Sequence, residues 1–173
     1  YGVSANESLA YVLAILLTAM CAGAYGHLIN DIFDLEADRA AGKKNVAESF
    51  KPWQRWGFVL LTLGGGFTPA LLLDYSSVSV ALLLAEYALP SIYSIPPLRL
   101  KERGWLGVVA DASGAHVVPC LFVISLFAFA PSAEWDAGSM EPLLYPLAAV
   151  FWASMVGLKG IIASIYLDDL AQK

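Results

Sequence analysis

NDIFDLEAD, residues 30–38, runs straight into Arg39 and then Lys43 and Lys44, and the reading of this stretch decides the fold. It carries four acids, Asp31, Asp34, Glu36 and Asp38, directly after an uncharged run over residues 9–29 that is long enough to cross a bilayer. A helix continued through it sets Asp31, Asp34 and Asp38 at i, i+3 and i+7, within roughly 60° of one another, with His27 on the same face one turn earlier. Carboxylates at the C-terminal end of a helix oppose its macrodipole and repel one another at turn spacing. The stretch therefore calls for a bound cation. An oxygen-only set suits Mg²⁺, which is typically held by one or two carboxylates together with substrate phosphates.

Composition extends that reading to the whole chain. A hydrophobic fraction of 58%, a mean hydropathy of +0.65 and a charged fraction of only 14% lie outside the range of a soluble domain of this length. The fold class that follows is all-α, a polytopic transmembrane helix bundle forming one domain over residues 1–173. Uncharged or nearly uncharged runs give five candidate spans, residues 9–29, 57–73, 78–93, 105–130 and 142–167. When these are threaded alternately, all ten lysines and arginines fall on one side, which the positive-inside rule makes cytoplasmic. The net charge of -5 is then a poor guide to partners, because the cytoplasmic loops are locally basic and able to receive an anion. No nucleic-acid partner is expected. Cys21 and Cys120 lie within spans at different depths, so they read as small apolar packing and not as a disulfide. Tyr1 is not a start residue, no signal peptide is legible, and Lys173 falls inside what reads as a second acidic motif. A fragment truncated at both ends is the expectation.

Along the chain, Gly23, Ala24 and Gly26 lie one to two turns before the acids, where helix packing is the expected use and room for a ligand the alternative. Gly42 is expected to end the first helix, with a polar loop over residues 43–54. Gly64, Gly65 and Gly66 sit mid-span without a basic neighbour or a strand-loop-helix context, which points to helix packing or a kink and not to a phosphate cradle. Glu86 is an intramembrane acid and a functional candidate ranked below the motif acids. Pro96 and Pro97 stop the third span, and SIPPLRLKERG, residues 94–104, then places Arg99, Lys101 and Arg103 on the same membrane face as the acids. The fourth span carries Asp111 about one turn below that face, His116 deeper, and Pro119 as the expected site of a kink. Asp111 is costly there unless it faces a cavity or a cation. The fifth span ends in YLDDLAQK, which returns Asp168 and Asp169 to the acidic side and suggests a parallel internal repeat.

These segments resemble the UbiA superfamily of intramembrane prenyltransferases. NDIFDLEAD fits the NDxxDxxxD pattern, and YSIPPLRLK, residues 93–101, fits the YSxPPxRLK-type segment. GLKGI, residues 157–161, followed by Asp168, resembles the approach to that superfamily's second aspartate motif. The resemblance implies five spans, about the second to the sixth helix, of a larger UbiA-like fold of about nine helices. Two departures stand out. Ser164 and Ile165 precede the second motif where the superfamily often has His-Gln, and Gln172 lies four residues after Asp168 where it usually repeats Asp. AGKKN, residues 41–45, also differs from the Arg-Pro loop of several quinone-pathway members, so it assigns no aromatic acceptor.

The resemblance implies Mg²⁺-dependent transfer of an isoprenyl group from a prenyl diphosphate to a hydrophobic, commonly aromatic, acceptor inside the membrane, as in quinone, chlorophyll, haem or lipid biosynthesis. Asn30, Asp31, Asp34, Asp38 and Asp168 would hold the metal. Tyr93, Arg99, Lys101, Arg103 and Lys43 would hold the diphosphate. Asp34, Asp38 and Lys101 would form the catalytic group, with Asp111 orienting or deprotonating the acceptor and His27 and His116 near the substrate pocket. The expected setting is a multi-pass protein of a bacterial or archaeal plasma membrane, its motif loops cytoplasmic. The competing readings are a cation-coupled transporter or channel fragment, which Glu86 and Asp111 would suit, and a catalytically inactive relative.

Overall fold

The computed structural model describes residues 5–128, with side chains from Leu9 onward, and Leu158; the fifth candidate span and Asp168 lie outside the described residues. Every regular element among the described residues is helical. Helix α1 (Ala5–Ala40) continues unbroken through the acidic stretch, as its spacing predicts. At about 1.5 Å per residue it is about 54 Å long, well beyond the ~30 Å of a hydrocarbon core, so its acidic end projects past its apolar part. Gly42, with φ +68, ends it as expected. The Lys43 N–H bonds the Asp38 carbonyl at 2.8 Å and the Gly42 N–H bonds that of Arg39 at 3.2 Å, the two bonds of a Schellman cap.

A short 3-10 turn (Val46–Ser49) leads to α2 (Pro52–Leu72), which opens with proline at its first position, where no N–H is needed. Helix α3 (Ser77–Ser94) is capped by the Ser76 hydroxyl, which accepts from the Ser79 N–H. A second 3-10 turn (Leu100–Glu102) precedes α4 (Trp105–Ala112). The fourth candidate span is not one α-helix. A π-helical turn (Ser113–Val117) joins α4 to α5 (Val118–Ala128), closed by the Val118 N–H on the Ser113 carbonyl. The break thus sits one turn before Pro119, as one extra residue looped into the ladder.

Cross-contacts fix the helix directions. Thr18 donates to the Gly66 carbonyl at 3.3 Å and Phe33 meets the Trp56 ring at 6.5 Å, so α1 and α2 run antiparallel. Tyr25 meets Ser91 at 2.7 Å and Asn30 meets Ser94 at 3.3 Å, so α1 and α3 run parallel. Ser125 bonds Ser79 at 3.0 Å, while Gly114 lies beside Leu89, which sets the α4–α5 segment antiparallel to α3. The acidic end of α1 and the loop leaving α3 therefore share one end of the bundle.

By length and composition three segments can cross a membrane, Leu9–Ala40, Ser77–Ser94 and Trp105–Phe127. Helix α2 forms over the second candidate span but is not among these three segments. Leu13, Leu16 and Met20 of α1 and Leu60, Leu61 and Leu71 of α2 are exposed, a surface suited to hydrocarbon or further helices and unsuited to water.

The core gathers on Tyr25, Ile29, Val59, Leu83, Tyr87, Phe122 and Leu126. Tyr87 is its hub. Its ring lies 4.9 Å from that of Tyr25 and 5.1 Å from that of Phe67, and its hydroxyl donates to the Thr62 carbonyl at 3.1 Å. The glycine run is used for packing: a Cβ on Gly66 would fall 1.7 Å from the Tyr87 hydroxyl, and one on Gly65 2.8 Å from Cys21 Sγ. A Cβ on Gly23 would meet nothing within 4 Å. Gly66→Ala should therefore lower the unfolding free energy of the full-length protein by about 1–3 kcal/mol in denaturant titrations in mixed micelles, whereas Gly23→Ala should leave it unchanged or raise it by up to about 1 kcal/mol.

Candidate functional site

The site begins with a carboxylate that the macrodipole of α1 disfavours. Asp34 lies on the last turns of that helix, and its two oxygens are taken by two cations from the loop after α3. Lys101 Nζ donates to Asp34 Oδ2 at 2.6 Å, and Arg99 Nη2 donates to Oδ1 at 2.9 Å. Each cation has a second anchor on α1. Lys101 Nζ also donates to Asn30 Oδ1 at 2.9 Å, and Arg99 Nη1 to the Phe33 carbonyl at 3.2 Å. The side chains of Lys101, Asp34 and Arg99 are 12%, 18% and 21% exposed, so water screens these charges only in part. Hydrogen bonds to charged groups in such settings contribute about 1.5–3 kcal/mol each.

The loop is built to make this reach. Arg99 adopts a left-handed backbone conformation (φ 37°, ψ 58°) at the start of the 3-10 turn, and Glu102 holds its Nε. Gly104, at φ 56°, turns the chain into α4. Gly107 lets the first turn of α4 lie against the loop: a Cβ there would come within 2.8 Å of the Leu100 carbonyl oxygen and 3.0 Å of Lys101 Cα. Arg103 does not join the acids. It bonds the Pro97 carbonyl at 2.9 Å and so braces the loop from outside. Lys43 is exposed just past the Schellman cap.

The remaining motif acids are organised by a residue that the sequence reading passed over. Asn45 donates from one amide nitrogen to the Asp38 Oδ2 at 2.8 Å and to the Asp31 main-chain carbonyl at 2.9 Å, folding the loop after α1 back onto its acidic face. Its side-chain oxygen meanwhile caps the 3-10 turn through the Ala47 N–H at 2.9 Å. Among the described residues no three His, Cys, Asp or Glu side chains converge as a closed metal cage. The donor set still suits a cation shared with an anionic ligand. Asp31 and Asp38 form no ion pair among the described residues, so their carboxylates are the oxygen donors that a divalent ion could share with an anionic ligand.

Beside this cluster a cavity of about 580 Å³ opens between α1, α3 and the α4–α5 segment, within the usual range for ligand pockets. Asn30, Tyr93 and Ser94 line its end next to Lys101, and His27, Glu86 and Asp111 line it further along. His116, in the π-helical turn, is not among the lining residues. Gly23 opens onto the cavity, so this small residue makes room for a ligand and the packing expectation does not hold for it. The structure thus brings Asn30, Asp34, Arg99 and Lys101 together, and Asn30 joins this cluster to a cavity that His27, Tyr93 and Asp111 also line.

No protein-family profile and no solved structure matches the chain. Over 106 residues it is 31% identical to the chloroplastic chlorophyll synthase of Avena sativa. That stretch makes up 56% of this chain and 27% of the relative, so the chain spans well under half the length of the protein it matches.

Asn45, Ser94 and Gly107 are the site residues that sequence reasoning missed. Asn45 stands in the quoted AGKKN, and Ser94 in the quoted YSIPPLRLK, but neither position carries a signal without the return of the loop and the parallel packing of α3. Gly107 predicts its own test. Double-mutant cycles on the stability of the full-length protein should give a coupling between Asp34→Asn and Lys101→Met of about 1–3 kcal/mol, and the Gly107→Ala background should reduce that coupling by at least half.

Proposed function

We propose that this chain forms the donor side of an intramembrane prenyltransferase, binding the diphosphate of an isoprenyl donor at Arg99 and Lys101 and its apolar chain in the adjoining cavity. The observation that carries this reading is the convergence of both cations on Asp34, with Lys101 also bonded to Asn30 of the cavity wall. The partial likeness to a chlorophyll synthase supports the same class of chemistry. Asp34 keeps the two cations in place before any ligand arrives, and a diphosphate, with more charge and more oxygens than one carboxylate, would compete for the same donors. Arg99 offers a rigid fork and Lys101 a mobile point charge, a pairing that can follow an oxyanion as its charge grows.

Mg²⁺, held by Asp31 and Asp38 with Asn30 alongside, would supply the charge neutralisation that makes diphosphate a competent leaving group. The C–O bond to diphosphate would break as the allylic cation forms, and the apolar cavity would keep water from that cation until an acceptor attacks. Asp111 lines the same cavity and is suited to orient the acceptor or take its proton. The motif loops are read as cytoplasmic from their positive charge.

In the full-length protein, release of diphosphate from a prenyl diphosphate should require Mg²⁺. It should fall at least about 100-fold in Asp34→Asn, and Arg99→Ala and Lys101→Ala should each raise the donor KM by about 10-fold or more. Absence of donor turnover in the full-length protein, with cation-driven flux in its place, would sink the enzyme reading in favour of a transporter.

A further inference from the structure

The cavity contains a group that diphosphate binding leaves unused. Glu86 of α3 is only 8% exposed, lines the cavity, and makes no hydrogen bond or ion pair among the described residues. It lies eight residues before Ser94 on the same helix, about 12 Å deeper than the end beside Lys101. The polar groups around it are already committed. The Tyr25 and Ser91 hydroxyls pair at 2.7 Å, Ser91 donates to the Tyr87 carbonyl at 2.7 Å, and the Tyr87 hydroxyl donates to Thr62. Across the cavity α1 presents Ala19, Ala22 and Gly23, which bring no polar side chain.

Pro90, one turn on and also lining the cavity, brings no polar side chain. A carboxyl this buried, without a donor among the described residues, costs folding free energy that a ligand's donor would relieve. The alanines and Gly23 facing it leave space for a ring, with His27 and Asp111 lining the same cavity.

We propose that Glu86 is the subsite that recognises a hydroxyl or N–H group on an otherwise apolar, ring-sized ligand. In the reading given above that ligand is the prenyl acceptor, and to that extent the assignment of its role rests on that reading. The subsite selects by hydrogen bonding, because a ligand lacking the donor covers the Glu86 carboxyl without giving it a partner.

The test uses the full-length protein in lipid nanodiscs, with empty nanodiscs subtracted, and two ring-sized probes that differ by one hydroxyl, 1-naphthol and naphthalene. Saturable binding of 1-naphthol should be tighter than that of naphthalene by about tenfold. Glu86→Leu should bring the two within about twofold, and Glu86→Gln, whose amide oxygen still accepts, should retain most of the preference. Glu86→Ala replaces the leucine variant if that variant does not insert. Equal binding of both probes by the unaltered protein, or full preference in Glu86→Leu or Glu86→Ala, overturns the proposal. Prenyl diphosphate turnover measured on the same preparations separates the two readings. A lost preference with intact turnover removes only the Glu86 subsite, and an intact preference without turnover removes only the prenyltransferase reading.

Discussion

The carboxylate of Asp34, held between Lys101 and Arg99, is the contact on which the rest of the arrangement depends. A lone acid near the C-terminal end of a helix is electrostatically misplaced, and so are two cations crowded into one short loop. Bringing them together removes both difficulties while binding α1 to the loop after α3. Removing one partner of such a part-buried group costs more than the pair contributes, because the remaining charge is left without its counterion. The contact therefore fixes where the loop lies and keeps donors aimed at one place. Through the bond from Lys101 to Asn30, that place adjoins the wall of the cavity.

The tie can form only because the helices run as they do. Parallel α1 and α3 put the two charged segments at one end of the bundle, with α2 packed along α1 and met from α3 by the Tyr87 side chain. Gly66 under the Tyr87 hydroxyl and Gly65 against Cys21 provide that closeness. Tyr87 then ties α3 to α2 through the Thr62 carbonyl while meeting Tyr25 of α1 edge to face. Packing at the centre of the bundle is thus a condition for charge pairing at its end.

Much of this was legible in the residues themselves. The i, i+3, i+7 spacing placed Asp31, Asp34 and Asp38 on a continuing helix, Gly42 marked its end, and alternate threading put the basic loop beside the acids. Position along the helices was legible too: Pro96 and Pro97 follow the end of α3 at Ser94. What could not be read were contacts that depend on chain return or on helix rotation. Asn45 reaches two acids only after the Schellman cap reverses the chain, and Gly107 matters only because α4 lies against the loop. Periodicity gave a continuous fourth span, whereas the ladder breaks at Ser113–Val117, because hydropathy is blind to one looped-out residue. The same blindness ranked Glu86 low, since its lack of a partner among the described residues depends on how the neighbouring helices pack. The role of Gly23 was underweighted for a related reason, because a small residue looks alike in sequence whether it touches a neighbour or faces a void.

The π-helical turn has a consequence for how the cavity wall is assembled. Ala110, Asp111, Gly114, Ala115 and Pro119 all line one cavity although they fall on both sides of the turn. In an uninterrupted α-helix, Pro119 would stand about half a revolution around from Ala110, at about 100° per residue. The extra residue delays the rotation by roughly one position and returns Pro119 to the side of Asp111. The wall is thus a splice of two helical phases, and its continuity is a matter of residue count as much as residue type. Every side chain in it can be kept and the surface still lost, simply by changing the count by one between Ser113 and Val117.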